Sequence, residues 1–256
     1  MAFLDEVRHL LKDKAGLDVS GVRDGQLERR VTNFMRRARL TEETLLSAVV
    51  ADKDLLEKFL DGLTINVTSL FRNADRWTIV GPILKELGPR PRIWSAGCSK
   101  GAEAYTISII CAENHQTPSI LATDIDARIM AKAVEGIYKD SEMREVDDAI
   151  KAKYFTRMDH EWRVDKKVAS CVRFQHQDLL AGVLPSGGFD FIACRNVAIY
   201  FSREAKLGLH ERLASTLNPG GYLFIGSTER VENPGDIGLT NVSPFIYQST
   251  AELVRR

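Results

Sequence analysis

Several features that this chain of 256 residues lacks exclude whole classes of protein. It has no run of about 18 consecutive apolar residues, the length at which a transmembrane helix becomes possible. Asp5 and Glu6 interrupt the N-terminus before the apolar core of a signal peptide could form. The 4 cysteines form no C-x-x-C pair and the 5 histidines no H-E-x-x-H motif, so we assign no metal site. We therefore expect a cytoplasmic protein.

An excess of positive charge is also missing. The 35 Lys and Arg residues equal the 35 Asp and Glu residues, whereas a general nucleic-acid-binding protein is expected to be basic. The balance conceals a local segregation, because the stretch from Arg23 to Arg39 carries 6 arginines against Asp24 and Glu28. Acidic residues then predominate from Leu40 to Asp61. The zero net charge thus argues against nucleic acid as a partner, but it is compatible with a local basic site.

Apolar residues recur at helical spacing through the first seventy or so residues. They predict four helices, followed by a fifth from about Ala74 to Leu87 that ends at the sequence Gly88-Pro89-Arg90-Pro91. We predict a helical domain over residues 1–72, a connecting helix and linker over 73–91, and a second domain over 92–256.

From residue 92 onward, short apolar strands alternate with helices, which is typical of an α/β fold with a mostly parallel sheet. Strands are predicted at 92–96, 119–124, 172–175, 189–194, 222–225 and 245–248, and a helix from about Arg203 to Leu217. The sequence Asn218-Pro219-Gly220-Gly221 is predicted to form a turn. An irregular insertion over about 139–170 could hold a short hairpin around Asp159 and His160.

Two features after the first strands indicate a nucleoside-type cofactor. Gly97 and Gly101 allow the loop after the first strand to approach a ligand closely, and Asp124 ends the second strand, where an acid can bind ribose hydroxyls. The loop is neither G-x-G-x-x-G nor a P-loop, which favours S-adenosylmethionine (AdoMet) over a dinucleotide. The alternatives are an ordinary strand-to-helix turn and a role for Asp124 or Asp126 as a helix N-cap.

Five segments occur in the order found in one known family. With them the chain resembles the CheR-type chemotaxis receptor glutamate O-methyltransferases, although Leu70 replaces a phenylalanine of the family's N-x-T-x-F-F-R motif. The resemblance implies a class I AdoMet methyltransferase fold, Rossmann-like with a mostly parallel sheet. A small all-helical domain would precede it, and a short antiparallel hairpin would be inserted in it. The segments are Asn66–Arg72, Arg92–Ser99, Ala122–Asp126, Cys194–Phe201 and Gly220–Glu229.

The same resemblance implies the residues that contact AdoMet. Arg72 would bind the cofactor carboxylate, Glu103 its amino-acid end, Asp124 the ribose, Asp178 with Leu179 the adenine, and Arg195 with Asn196 the methionine moiety and methyl group. Arg72 and Tyr200 are candidates for lining the transfer site. The alternatives are purely structural roles: a surface ion pair for Arg72, a helix cap for Asn196 and a core position for Tyr200. The full set is Asn66, Thr68, Arg72, Gly97, Glu103, Asp124, Asp178, Leu179, Arg195 and Asn196.

The glycine loop departs from the family pattern. The family usually has S-T-G-E-E-P-Y, whereas this chain has Ser99-Lys100-Gly101-Ala102-Glu103-Ala104-Tyr105. One acid is lost and a cation replaces threonine, which predicts weaker cofactor binding if the lost acid holds the cofactor's ammonium, unless Lys100 points to solvent.

The implied reaction is methyl transfer from AdoMet to receptor glutamates, giving methyl esters and S-adenosylhomocysteine. A carboxylate is already ionised at neutral pH, so we expect positioning to dominate and no side chain to act as an obligatory base. The alternatives are an AdoMet methyltransferase of another substrate, with the helical domain as a lid, and a catalytically silent binding module.

The partner implied by the resemblance is the cytoplasmic domain of a methyl-accepting chemoreceptor. Arg29, Arg30, Arg36 and Arg37 are predicted to point outward and dock onto its acidic helices, the alternative being a solvated helix face. Some members of the family bind a receptor pentapeptide tether through the inserted hairpin. Because the stretch Tyr154–Val168 contains no glycine, we expect that this chain does not require the tether.

Overall fold

The computed structural model describes residues 2–63 and 68–250. Contacts between residues divide the chain into two compact units, Met1–Val67 with Tyr200–Lys206, and Thr68–Ile199 with Leu207–Arg256. The sequence prediction ended the helical domain at Arg72. The segment Thr68–Arg72 groups instead with the second unit, because Leu70 is completely buried in an apolar cluster of that unit.

The described part of the first unit contains the four predicted helices. Their apolar stripes meet in one core, in which Phe34 and Phe59 pack edge to face with ring centroids 4.9 Å apart. Between the second and third helices, the Thr41 N–H donates to Thr44 Oγ1 at 2.9 Å and so caps the helix that follows. The helices are α1 (Ala2–Ala15), α2 (Asp24–Ala38), α3 (Glu42–Ala51) and α4 (Lys53–Leu63).

The second unit alternates strands and helices as the sequence predicts. In chain order the elements after α4 are α5 (Ala74–Glu86), β1 (Arg92–Ala96), α6 (Ala102–Glu113), β2 (Ser119–Asp124), α7 (Ala127–Glu135), β3 (Ile137–Lys139), α8 (Asp148–Tyr154), β4 (Phe155–Met158), β5 (Glu161–Val164), α9 (Lys166–Ala169), β6 (Val172–His176), β7 (Phe189–Cys194), α10 (Arg203–Ala214), β8 (Leu217–Ile225), β9 (Leu239–Ser243) and β10 (Ile246–Ser249). The first residues of α10, up to Lys206, group with the first unit.

The main sheet has seven strands in the order β6-β2-β1-β7-β8-β10-β9. The first five are parallel to one another, and β10 runs antiparallel to both β8 and β9. The strand order reverses between β1 and β7, so the loops after these strands flank a crevice at the carboxyl edge, where α/β sheets bind ligands. The predicted fold class is confirmed.

Helices cover the sheet because its central strands are apolar on both faces. Trp77 and Val80 of α5 share one core with Ile93 of β1, Ile107 of α6 and Phe224 of β8. The shared packing of these residues holds α6 against β1 and so positions the loop that joins them.

The insertion between α7 and β6 is a small three-stranded antiparallel sheet in the order β3-β5-β4. The predicted hairpin is present, with β4 and β5 joined at Asp159 and His160. The sequence did not predict the third strand, β3, which is only 3 residues long. Tyr138 and Tyr154 of the insertion pack with Tyr105 of α6, so the insertion is anchored to the helix that follows the glycine loop.

Two predicted boundaries near the C-terminus are wrong. Helix α10 ends at Ala214, and the predicted turn Asn218–Gly221 lies inside β8. The pairing of β7 with β8 shifts register between Phe189 and Phe191, and the Asn218 amide donates to Asp190 Oδ1 at 2.7 Å across the irregularity. This side-chain bond holds the glycine-rich segment in the ladder. No helix in the described ranges is long and apolar enough to cross a membrane.

Candidate functional site

The predicted site residues converge on the carboxyl edge of the parallel strands. Gly97 follows β1, Asp124 ends β2, Asp178 follows β6, and Arg195 follows β7. Parallel strands place all of these ends on one side of the sheet. Asn66, another predicted contact, lies outside the described residues.

The loop from β1 to α6 has the close backbone packing that its glycines allow. Gly97 has a φ of 79°, and a Cβ at this position would overlap a methyl group of Val197. Gly101 has a φ of 80°, and a Cβ there would lie 2.8 Å from the ring of Phe174. Neither position accommodates a side chain, so glycine is required for the loop to pack this closely against Val197 and Phe174.

Asp124 fixes this loop. Its Oδ2 accepts the Ser99 N–H at 2.8 Å, and its Oδ1 accepts the Asp126 N–H at 3.0 Å. Burial raises the pKa of Asp124 above its ordinary value, and these backbone N–H donors partly oppose that effect. The N-cap of α7 is Asp126, whose side chain accepts the Arg128 N–H at 3.0 Å. Asp124 is therefore not needed as the cap, and its carboxylate lies at the strand end.

Glu103 and Arg195 form a buried ion pair beneath the loop. Glu103 Oε2 lies 3.6 Å from an Arg195 guanidinium nitrogen, and Glu103 Oε1 accepts the Ser95 hydroxyl at 2.8 Å. Burial raises the pKa of Glu103, while Arg195 and Ser95 act in the opposite direction. Two carboxylates with raised pKa at one crevice mark a candidate site for a cationic ligand.

Arg195 is a buried arginine, only 9% exposed, and its guanidinium lies over two aromatic rings. The guanidinium carbon lies 5.2 Å from the ring centroid of Trp77 and 4.8 Å from that of Phe224. Burial lowers the pKa of Arg195, and Glu103 partly restores it. Among the described residues, none accepts a hydrogen bond from the buried Nε of Arg195. A buried charge-bearing donor without a partner indicates a ligand acceptor at this point.

Arg195 also fixes the segment before α5. Its guanidinium donates to the Arg72 carbonyl at 3.2 Å and to Asn73 Oδ1 at 3.1 Å. Phe71 and Asn73 adopt left-handed backbone with φ of 54° and 60°. Thr68 lies in the same segment. The segment Thr68–Arg72 is thus brought to the same edge as the strand ends.

The residues predicted near the adenine form a tight turn. Asp178 Oδ1 accepts the backbone N–H groups of Leu180 and Ala181 at 2.8 and 3.2 Å. Leu179 is buried, and its carbonyl accepts Arg212 Nε at 3.1 Å. The Asp178 carboxylate therefore shapes the loop through Oδ1.

Glu229 ends the last of the five family-like segments and is not among the predicted site residues. Its carboxylate accepts the backbone N–H groups of Asn196, Ile199 and Gly226 at 2.8, 3.2 and 2.6 Å. These donors come from the loops after β7 and β8, and Asn196 has a φ of 59°. Glu229 thus holds the predicted contact Asn196 in a left-handed conformation. A glutamate immediately after the Gly226-Ser227-Thr228 turn was the only local signal.

Lys100, the departure in the glycine loop, does not point to solvent. Its Nζ donates to Glu142 Oε1 of the insertion at 2.7 Å, and both side chains are about four-fifths buried, with exposed fractions of 20% and 17%. The Lys100 charge therefore has a specific counter-charge within the second unit.

The four arginines of α2 that are predicted to bind the partner differ in exposure. Arg29, Arg36 and Arg37 are exposed. Arg30 is half-buried, because its guanidinium donates to the Leu63 carbonyl and stacks on the ring of Tyr200 at 4.3 Å. Arg30 is therefore less exposed than the other three arginines, because Leu63 and Tyr200 cover its guanidinium.

Tyr200 belongs to the first unit. Its carbonyl accepts the Arg23 N–H at 3.1 Å, and the neighbouring Phe201 pairs with Val22 in an isolated β-bridge. Tyr200 is half-buried rather than a core residue.

Comparison with known proteins gives two family matches. Residues 66–245 match the model described as "CheR methyltransferase, SAM binding domain", and residues 2–64 match "CheR methyltransferase, all-alpha domain". A "Chemotaxis protein methyltransferase" of Listeria innocua is 33% identical over 249 residues, covering 94% of this chain and 95% of the relative. "Chemotaxis protein methyltransferase 1" of Pseudomonas aeruginosa is 35% identical over 213 residues, covering 76% of this chain and 78% of the relative. A "Chemotaxis protein methyltransferase" of Salmonella typhimurium is 31% identical over 244 residues, covering 91% of this chain and 85% of the relative.

Proposed function

Because this chain belongs to the CheR methyltransferase family, we propose that it transfers the methyl group of AdoMet to glutamate side chains of a chemoreceptor's cytoplasmic helices. It is an AdoMet-dependent methyltransferase of chemotaxis. The observation that carries the proposed site is the convergence of Glu103, Asp124 and Arg195 on the glycine loop at the carboxyl edge of the sheet.

The residues present fit the cofactor. AdoMet carries a cationic sulfonium, an ammonium, a carboxylate and a nucleoside, and when bound it supplies an already activated methyl group. The buried Nε of Arg195 and the Arg72 guanidinium suit the carboxylate, Glu103 suits the ammonium, and Asp124 suits the ribose hydroxyls.

Further cofactor contacts are assigned on the family pattern. Asp178 and Leu179 would flank the adenine, and the backbone of Gly97 would lie against the cofactor. Asn196 would approach the methyl group, and Thr68 would approach from the segment before α5. Asn66 stays a predicted cofactor contact.

The acceptor needs little chemical assistance. A glutamate carboxylate is ionised at neutral pH and is a competent nucleophile, so the protein's task is to hold acceptor and methyl group in line and exclude water. The two thiols at this edge, Cys98 and Cys194, are unsuitable nucleophiles because burial raises the pKa of each well above its ordinary value. Arg72 of the second unit is proposed to line the transfer site.

The proposed receptor-binding surface is the exposed arginine set of α2, Arg29, Arg36 and Arg37. Acidic helices would be attracted to it, and the attraction would weaken with salt. We expect Arg36→Glu to weaken receptor binding at low ionic strength, whereas the exposed Lys14→Glu on α1 makes the same charge change at a control position. Equal affinity at low and high salt would contradict this surface.

The test of function uses a purified receptor cytoplasmic fragment and AdoMet labelled on the methyl group. Base-labile label released as methanol is expected from a fragment with glutamates at the acceptor positions and not from one with glutamines. Label on another substrate only would support the alternative methyltransferase. AdoMet binding without any transfer would support the silent binding module.

Independence from a receptor tether stays part of the proposal. The turn between β4 and β5 is formed by Asp159 and His160, without glycine. Addition of a tether pentapeptide is expected to leave the rate unchanged, and saturable binding of that peptide would overturn this claim.

A further inference from the structure

The insertion contacts the glycine loop through both the side chain and the backbone of one residue. Lys100 Nζ donates to Glu142 Oε1 at 2.7 Å, and the Lys100 carbonyl accepts the Tyr138 hydroxyl at 2.6 Å. The ammonium also lies 5.5 Å from the centroid of the Tyr138 ring. Lys100 is thereby held on two sides by residues 138–142.

Glu142 is itself fixed. Its second carboxylate oxygen accepts the Lys139 N–H at 2.9 Å, and its carbonyl accepts the Leu70 N–H at 3.0 Å. One short turn of the insertion therefore bonds to two separate segments, the glycine loop and Thr68–Arg72. Both are segments that we assign to the cofactor.

The position of Lys100 matters because its neighbours define the crevice. Ser99 on one side bonds to Asp124, and Gly101 on the other starts α6, which carries Glu103. A lysine in this loop would, without a counter-charge, introduce an uncompensated positive charge where a cation is bound. Glu142 removes that difficulty while anchoring the loop.

We propose that Glu142 is a positioning residue of the AdoMet site, which acts by holding Lys100 and through it the glycine loop. The insertion is then a structural part of the cofactor site as well as an appendage of the sheet. This inference rests on the proposed function only for the assignment of the cofactor residues, and it does not depend on the receptor.

The test measures AdoMet affinity by calorimetry for the wild type, Glu142→Gln, Lys100→Met and the reversed pair Lys100→Glu with Glu142→Lys. We expect each single variant to raise Kd roughly three- to tenfold, since a largely buried charge-assisted bond is lost. The reversed pair should recover part of the affinity, because it restores the ion pair but not the bond from the Lys139 N–H. In turnover, the KM for AdoMet should rise while kcat at saturation is unchanged.

The control is Asp148→Asn, which removes the ion pair of Asp148 with Lys151 in the same insertion but touches neither segment. Its Kd should stay within about twofold of the wild type. Single variants that lower the melting temperature yet bind AdoMet like the wild type would overturn the inference, as would a reversed pair as weak as the single variants. A wild-type chain that does not bind AdoMet would overturn the cofactor assignment itself, and this inference with it.

Discussion

Replacement of Glu229 by alanine is the sharpest test of how the crevice is held. The carboxylate accepts three backbone N–H groups, from Asn196, Ile199 and Gly226, and Glu229 is 9% exposed. Alanine leaves all three donors without this acceptor, and the space of the carboxyl group is not refilled by a polar atom. Both loops that flank the end of β7 should loosen together.

The magnitude follows from the burial of the donors. A buried donor left unsatisfied costs about 1–3 kcal/mol. Gly226 is buried, whereas Asn196 and Ile199 are half-buried and water reaches them in part, so the low end applies. The expected loss is about 3 kcal/mol of unfolding free energy, or roughly 6–12 °C of Tm for a chain of this size. Glu229→Gln keeps one acceptor oxygen and should lose about half as much.

The assay is thermal unfolding by calorimetry, paired with AdoMet titration at a temperature where every variant is folded. AdoMet affinity should also fall, because Asn196 no longer has a bond that favours its left-handed backbone. Glu211→Ala, at an exposed position of α10, is the matched control and should unfold within about 1–2 °C of the wild type. A Tm for Glu229→Ala equal to that of the Glu211 control would refute the reasoning.

Three further predictions concern the glycine loop, pH and the core. Gly97→Ala should abolish AdoMet binding in calorimetry, because its Cβ overlaps Val197 at a positive φ, whereas Gly208→Ala, with open space around it, should bind normally. Burial raises the pKa of Asp124, so the contribution of Asp124 to the folding stability of the apo protein is lost as pH rises through that pKa. AdoMet affinity should instead fall as pH drops through the same pKa, and Asp124→Asn should flatten both pH profiles. Tyr105→Phe leaves the Ala133 carbonyl without its 2.8 Å donor and should cost about 1–2 kcal/mol in urea denaturation, while kcat is unchanged; no change in stability would contradict the assigned bond.

Much of the architecture follows from local sequence. Leu27, Val31 and Phe34 repeat at helical spacing and are buried on one face of α2. The apolar runs of β1 and β2 are buried on both faces, as central parallel strands must be. These signals depend on residues that are close together in the sequence, so they can be recognised without the tertiary structure.

Elements with mixed local signals were missed or misplaced. The segment Asn218–Gly221 has turn residues, and it joins β8 only because β7 and the Asn218 bond to Asp190 hold it there. Strand β9 (Leu239–Ser243) is exposed at three consecutive positions and forms through pairing with β10 at the sheet edge. For such segments, the partner strand determines the conformation more than the segment's own propensity.

By itself the sequence determined the two-part organisation, the α/β fold and the edge of the sheet where a cofactor belongs, since helical periodicity and the alternation of strands with helices depend on near neighbours. Only the tertiary structure decided which side chains are partners. Glu142 lies 42 residues from Lys100, Glu229 lies 33 residues from Asn196, and Arg30 bonds to Leu63, 33 residues away. Such partners meet because the packed elements bring distant loops together, and no local pattern specifies which of many charged residues will face each other across that packing.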